Sequence, residues 1–541
     1  MRRLLETRLS VGLAGWLILV GCGTSNVGDV PAYGADRSVE KPGGAGTAAV
    51  RPRVTLTLPR VDAGGAGAPH AGTGGATSDS GAAGRGGIPE RGGSPESGGA
   101  SGRGGAPGRG GASALGEGGA VAETSGGAAG EAGAGGSDEP QGDGFDVLIA
   151  RASDVKPSAP GTVGIVTFSV GKVALVEAHI DFGLDTTYGM TAPVDLDAPD
   201  HRTLLLGMKP SRLYHFSIVA SDGSHTFRSD DRTIFTGPVP SSVPEVSLTV
   251  LDEARRERGF ILGSYRDLPG RNVPFIADAD GEIVWWYESN MPGISHAVLS
   301  ATGKNVWLVG SGIVGSPIRR LSLDTLEEQI YSDTFGSHDI TAVTGETMAY
   351  LDYEETDCDS VVEIEPSGVK REVFESEGFF DPKLCHANAL RYSATRDTFT
   401  FSDRYEDVLV LSHAGDLLWR LSELVPGGNA AWGGAQHGHR LLADSFLIFA
   451  NAGMSKTASA AIEFDLSGHE LRRFQTGHFS LHMGDVQRLP GGNTLVTFSN
   501  ESLVQEFDPE GNVVLELEGD GRNLGYATWR QSLYGPPPEN P

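Results

Sequence analysis

The sequence predicts an all-β protein: a six-bladed β-propeller, with a small β-sandwich and a disordered Gly/Ala-rich tether ahead of it. Three observations carry this. A unit of strand, Asp-x-x-Gly-like turn and strand recurs six times in the C-terminal half. The segment before it alternates apolar and polar residues in short runs with no helical period. The segment before that is dominated by Gly, Ala and Ser and holds almost no large apolar side chain. These shifts divide the chain into residues 1–22, 23–144, 145–240 and 243–535.

Residues 1–22 begin Met1-Arg2-Arg3, continue through a largely apolar stretch over 11–20 and end in Gly21-Cys22. A charged start, an apolar middle and a small residue at the end make a secretory signal peptide. The apolar run is too short to cross a bilayer as a permanent helix. Leu19-Val20-Gly21-Cys22 resembles the bacterial lipobox. The resemblance implies that Cys22 is lipidated; the alternative is an ordinary secretory signal. It further implies a lipoprotein anchored to a bacterial membrane, here the outer membrane, facing the periplasm or the cell surface.

Residues 23–144 cannot offset their chain entropy by burial, which makes them a tether. About 100 residues of this composition span roughly 50–60 Å, enough to hold a folded head clear of a membrane. Arg-Gly-Gly triplets at Arg85, Arg91, Arg103 and Arg109 are a feature of RNA-binding tails. The net charge of −28 and the secretion signal argue against a nucleic-acid partner. Besides Cys22, only Cys358 and Cys385 are present. In an oxidising compartment they pair, closing a loop that ends directly before His386; otherwise they are two buried thiols. Two cysteines without a second pair do not make a structural zinc site.

Residues 145–240 read as short strands, for example 163–169, 176–182 and 212–220, separated by turn residues. Residues 206–214, which end in Tyr214 and lead into alternating Phe216, Ile218 and Ala220, resemble the tyrosine corner of a fibronectin type III sandwich. A spacer or docking role is expected of this part. His179 and His215 are read as surface residues of its strands.

In the third part the recurring unit covers 275–286, 321–330, 361–368, 408–419, 461–468 and 504–515. A spacing of roughly 40–55 residues is that of four-stranded propeller blades. Between copies lies a second unit of strand, tight turn and strand, as in 296–309 and 485–498. The first copy lacks a clear inner strand. Residues 526–533 are placed to supply it and to close the ring, which removes exposed sheet edges.

The inner strand of each blade lines the channel, so residues that begin those strands meet at its mouth. Four histidines fall at that register. His296 precedes Gly303, His338 precedes Gly345 and His437 precedes Asp444 at one spacing, and His386 precedes a longer turn at 394–397. Gly484 takes this place in the last repeat, with His482 just before it. Such residues either hydrogen-bond channel water and tie blades together or do chemistry. Neutral imidazole serves as base, nucleophile or metal ligand. Three or four around an axis also make a metal set, with Asp339 and Asp381 as candidate partners. Arg404, at the end of the strand following His386, bears on this choice. A guanidinium beside imidazoles repels a cation and suits sulfate or phosphate. The alternative for Arg404 is a structural ion pair with Asp403 or Glu406.

The ordered pieces are His338-Asp-Ile, His386-Ala-Asn388, Ser402-Asp-Arg404, Asp416-Leu-Leu-Trp419, Gln436-His437, Phe449-Ala-Asn-Ala-Gly453 and Leu489-Pro-Gly-Gly-Asn-Thr-Leu495. On these, residues 243–535 resemble the bacterial arylsulfotransferases and their secreted relatives. Order and spacing, above all from His386 to Arg404 and on to Gln436-His437, are the specific part. The resemblance implies a six-bladed propeller that moves a sulfuryl group without a nucleotide donor or other cofactor. His437 is then the nucleophile, and His338, His386 and Arg404 hold the sulfate oxygens. One of the histidines protonates the leaving phenolate, and His296 keeps a channel-lining place. Small phenols and aryl sulfates are the expected partners, and the resemblance permits a homodimer. No Walker-type Gly-rich loop occurs in this part. Two departures stand beside the nucleophile: Gly438-His439 where the family has Thr or Asp and then Ala, and Ala450-Asn-Ala-Gly453 where it has Asp-Asn-Gly. A binding-only surface lipoprotein and a metal-dependent hydrolase or lyase are the competing classes.

Overall fold

The computed structural model describes residues 144–538 except 172, 269–270, 312–314, 354–357, 382–384, 452–457 and 521–522. The signal segment with Cys22, and the tether up to residue 143, lie outside the described residues.

Residues 145–235 form a two-sheet sandwich. One sheet has the order Phe145–Arg151, Gly164–Val170, Thr203–Leu205; the other runs Gly189–Pro193, Glu177–Gly183, Leu213–Ser221, Thr226–Arg228, with Arg232–Phe235 also paired to Leu213–Ser221. Period-two alternation sends Ile180, Phe182, Phe216 and Ile218 into the shared core with Phe168 and Met208. The Tyr214 hydroxyl accepts the Lys209 N–H at 2.8 Å, fixing the corner before Leu213–Ser221. The Lys209 ammonium lies 2.8–3.0 Å from Asp278, Asp280 and Glu282 of the first propeller blade. The Thr162 hydroxyl donates to the Val284 carbonyl at 2.6 Å. Tyr534, past the last strand, donates to the Leu204 carbonyl and accepts from the Leu206 N–H.

The rest is a β-propeller whose described residues make six blades. From the axis outward, blade 1 is Thr528–Arg530, Phe260–Leu268, Arg271–Ala277, Ile283–Trp286. Blade 2 is Ile294–Leu299, Asn305–Gly310, Ser316–Ser322 and the first half of Glu328–Thr344, whose second half turns inward to begin blade 3. Blade 3 continues Thr347–Asp352, Ser360–Ile364, Lys370–Glu375. Blade 4 is Ala387–Ser393, Thr398–Asp403, Val408–Ser412, Leu417–Arg420. Blade 5 is Gln436–Leu441, Ser445–Ala450, Ala460–Asp465, Glu470–Phe474. Blade 6 is Asp485–Arg488, Thr494–Phe498, Leu503–Phe507, Val513–Glu518, with Ser247–Val250 added outside.

Each blade is covered on both faces by its neighbours, so its middle strands are buried throughout, as Asn305–Gly310 and Ser445–Ala450 are. Alternate residues serve different interfaces. Val306 and Leu308 pack with Ile276 and Trp285 of blade 1, whereas Trp307 and Val309 pack with Ile340, Met348 and Tyr350 of blade 3. The outermost strands lose one neighbour and turn polar, as in Glu470–Phe474. The repeated turn works by side-chain capping plus a left-handed glycine. Asp465 Oδ1 accepts the Ser467 and His469 N–H groups, and Gly468 sits at φ +82°. Thr528–Arg530 is the innermost strand of blade 1, the place that residues 526–533 are expected to fill.

Candidate functional site

The inner strands of blades 2, 3, 4 and 5 each carry a β-bulge near the start, in blade 2 between Ile294 and His296. Pairing skips between Ser337 and Ile340, between Ala387 and Ala389, and between Gln436 and His439. A bulge re-aims a side chain. In blade 3 it holds His338 at φ +57°, a costly conformation for a residue with a Cβ. Two consecutive residues then find different partners. His338 meets His386, with ring centroids 4.7 Å apart, while Asp339 turns to His296 and Arg391.

In blade 5 the bulge frees His437. Its Nδ1 lies 2.6 Å from Asn451 Oδ1. The Asn451 amide donates to the carbonyls of Ser480 and Met483, each at 2.8 Å, so its oxygen must be the acceptor. His437 therefore carries its proton on Nδ1 and keeps a lone pair on Nε2. Burial, and then the Arg404 guanidinium, hold its pKa well below the usual imidazole range. Burial, then His386, Arg266 and Arg404, do the same to His338. Burial, and then Arg404, hold His386 at about 4. The imidazoles are neutral at physiological pH, as a nucleophile requires.

Arg404 follows Thr398–Asp403 and ties blade 4 to blade 5. Its N–H donates to the His386 carbonyl at 2.9 Å, and its carbonyl accepts the Gln436 N–H at 3.0 Å. The guanidinium Nη2 lies 3.0 Å from the Leu481 carbonyl and 3.1 Å from His482 Nδ1, over the Tyr405 ring at 5.0 Å. Among the described residues no carboxylate pairs with it. The Asp403 carboxylate instead accepts the N–H groups of His386, Tyr405 and Glu406, which corrects the ion-pair alternative for this arginine. Cys358 and Cys385 form a disulfide immediately before His386, with Cα atoms 5.5 Å apart.

His296 is drawn elsewhere. Its Nδ1 meets Asp339 at 2.6 Å and its Nε2 meets Thr528 at 3.0 Å, so both ring nitrogens are engaged. It belongs to a buried charge network in which Arg391 joins Asp339 to Asp485, with Arg440 at 3.2 Å from Asp485. The two departures beside His437 have physical causes. A Cβ on Gly438 would stand 2.6 Å from the Asp485 Cα, so blade 6 admits only glycine there. His439 points away from the site, between Thr400 at 2.8 Å and the stacked ring of Phe446.

The structure thus gathers His338, His386, His437 and Arg404 and leaves out His296 and His439. It adds three residues that sequence reasoning gave no role: Arg266, Asn451 and His482. His482 is held at about 4 by burial and then by Arg404 and Arg266. Asn451 directly follows its blade's second strand, as Arg404 does, and Arg266 lies within the second strand of blade 1. The register that Asn451 shares with Arg404 is the signal that finds it. Among the described residues no three His, Cys, Asp or Glu side chains group as metal ligands. Guanidiniums stand among the imidazoles, which fits an oxyanion better than a cation.

No family model matches the chain, and no curated protein is recognisably similar in sequence. Solved structures that superpose on it include TolB from Acinetobacter baumannii, at 13% identity and TM-score 0.38, covering 60% of this chain and 80% of that one. Virginiamycin B lyase from Staphylococcus aureus follows at 12% identity and TM-score 0.35, with 52% and 99% covered. The WD40 β-propeller domain of Doa1 gives 11% identity and TM-score 0.34, with 53% and 93% covered.

Proposed function

We propose that this protein transfers a sulfuryl group from an aryl sulfate ester to a phenol, without a nucleotide donor, through a sulfohistidine at His437. The observation that carries the reading is the tautomer of His437, whose Nδ1 proton is committed to Asn451. In the first step the Nε2 lone pair attacks sulfur. The N–S bond forms as the bond from sulfur to the aryl oxygen breaks, and the electron pair leaves on that oxygen. Arg404, His338 and His386 stabilise the charge on the sulfuryl oxygens. A bound sulfate ester anion raises the proton affinity of neighbouring imidazoles, so one of them supplies the proton to the phenolate. In the second step an acceptor phenol attacks the same sulfur. Its proton passes to the imidazole that gave one up, and the N–S electron pair returns to Nε2.

The order of His338, His386, Arg404 and His437, which resembles that of the bacterial arylsulfotransferases, supports this reading. The signal segment adds a location: a head held outside the cytoplasm on a tether lipidated at Cys22. Among the described residues no helix is long and apolar enough to cross a membrane. The test is release of 4-nitrophenolate from 4-nitrophenyl sulfate in the presence of a phenol. Without acceptor, His437 is expected to gain one sulfuryl group, which also excludes a propeller that only binds. No release by the wild type, or full release by His437→Ala, ends the proposal.

A further inference from the structure

Buried guanidiniums in this protein are, as a rule, compensated. Arg391 and Arg440 meet Asp339 and Asp485, Arg488 meets Glu463, and Arg256 meets Glu253. Arg530 lacks a carboxylate but is capped by the carbonyls of Ser532 and Gly535. Among the described residues, the other two buried arginines without a carboxylate are Arg404 and Arg266. Both belong to the cluster of His338 and His482.

Arg266 is the less satisfied of the two. It is 7% exposed. Its terminal nitrogens donate to the Ser311 hydroxyl and to the Met483 thioether, and its buried Nε, like that of Arg404, has no partner among the described residues. A thioether is a weak acceptor. Removing a cation from water on these terms is costly unless a counter-ion arrives. Met483 also fixes where Arg266 stands. Its carbonyl accepts the Asn451 amide, which in turn orients His437, so the guanidinium rests against the residue that braces the nucleophile's partner. The Arg266 charge is also felt by both His338 and His482.

We infer that Arg266 is a second anion-binding residue of this site, sharing with Arg404 the oxygens of a tetrahedral oxyanion. Two guanidinium forks present fixed N–H donors to more than one oxygen of such a group, which an ammonium or a single imidazole does not do. An oxyanion replaces the thioether and hydroxyl as the acceptor and supplies the missing charge. For a sulfuryl group in transfer, this deepens the proposed function and rests on it. Oxyanion binding itself does not.

The test uses the full chain and inorganic sulfate as the probe, by isothermal titration. Wild type binds sulfate, and Arg266→Gln weakens that binding roughly tenfold or more. Arg266→Lys retains part of it, because the charge remains and the fork is lost. In Arg266→Gln the acid limb of aryl sulfate cleavage moves to higher pH, since His338 and His482 lose a repelling cation; a purely structural role leaves that limb in place. Unchanged sulfate affinity in Arg266→Gln, or no sulfate binding by wild type, overturns the inference. Should Arg266→Gln not fold, Arg266→Lys decides, and wild-type affinity in that variant overturns it. Sulfate binding that depends on Arg266 in a protein that cleaves no aryl sulfate keeps this inference and removes the proposed function.

Discussion

Replacing Asn451 by leucine isolates the tautomer of His437, because leucine keeps the shape of the side chain and removes its polarity. Three hydrogen bonds are lost: the His437 Nδ1–H and the Met483 carbonyl lose their partner, and the Ser480 carbonyl keeps only the Ser459 hydroxyl at 3.3 Å. At about 1 kcal/mol for each hydrogen bond, with more where the orphan stays dry, the fold loses about 3–5 kcal/mol. The rate effect has a separate origin. Without an acceptor at Nδ1 the ring no longer prefers the Nδ1–H form, and a share of His437 carries its proton on the attacking nitrogen. The ring also gains positive charge as Nε2 attacks, and a hydrogen bond to a charged group, of about 1.5–3 kcal/mol, corresponds to roughly a 10- to 100-fold drop in the first step. The assay is single-turnover release of 4-nitrophenolate, with a thermal melt of the same sample. Sulfate affinity should hold to within about threefold, because Asn451 faces His437 and two carbonyls rather than the anion. Asn451→Asp adds a contrast: it keeps the acceptor, and its charge raises the proton affinity of His437, so its acid limb moves to higher pH. A first step in Asn451→Leu as fast as wild type, in folded protein, refutes the tautomer argument.

Two further outcomes follow from the same geometry. Gly438→Ala drives a methyl group into the backbone of blade 6 at Asp485, which should cost about 1–3 kcal/mol of stability and displace His437. A melt and a burst measurement read both effects, and an unaltered burst contradicts the close-approach account. Stability should also fall on acidification. His386 and His482 are held at about 4, and His338, His437 and His439 are held well below the usual value. Between about pH 6.5 and pH 4 the unfolded chain therefore binds protons that the folded chain refuses. Burial pushes Asp359 to about 7 and Asp403 to about 6, which works in the opposite direction and is lost as pH rises. Burial raises Asp407 and Glu506 as well, so five imidazoles stand against four carboxyls; the melting temperature should still drop from pH 6 to pH 4, and a flat profile counts against the burial of this cluster.

The propeller is legible in the sequence because its turn chemistry repeats. Asp465 to Gly468 and Asp508 to Gly511 are the same device, and the device sets the blade period. The site is only partly legible. Spacing from the turn makes His296 and His338 equivalent and both strands are irregular there, yet His338 takes a positive φ and His296 does not, and no pattern of residue types announces that difference. Arg266 escapes for another reason. The inner strand of its blade comes from the far end of the chain, so residues near 266 have no local register to set beside Arg404. Gly438 looks like a departure from family pattern until blade 6 is in place, because the crowding that demands glycine comes from Asp485.

The ring is latched at two places, by Thr528–Arg530 inside blade 1 and by Ser247–Val250 outside blade 6. This orders events in time. Blade 1 is the first to be synthesised and the last to be completed, since Phe260 waits for Arg530. Until then the ring has an open seam with unpaired strand edges. Pairing residues so distant in sequence makes closure slow, and the half-made ring is the species most exposed to aggregation or proteolysis. His338, His386 and His437 belong to blades 3, 4 and 5, away from that seam, so their blades can form before the ring closes.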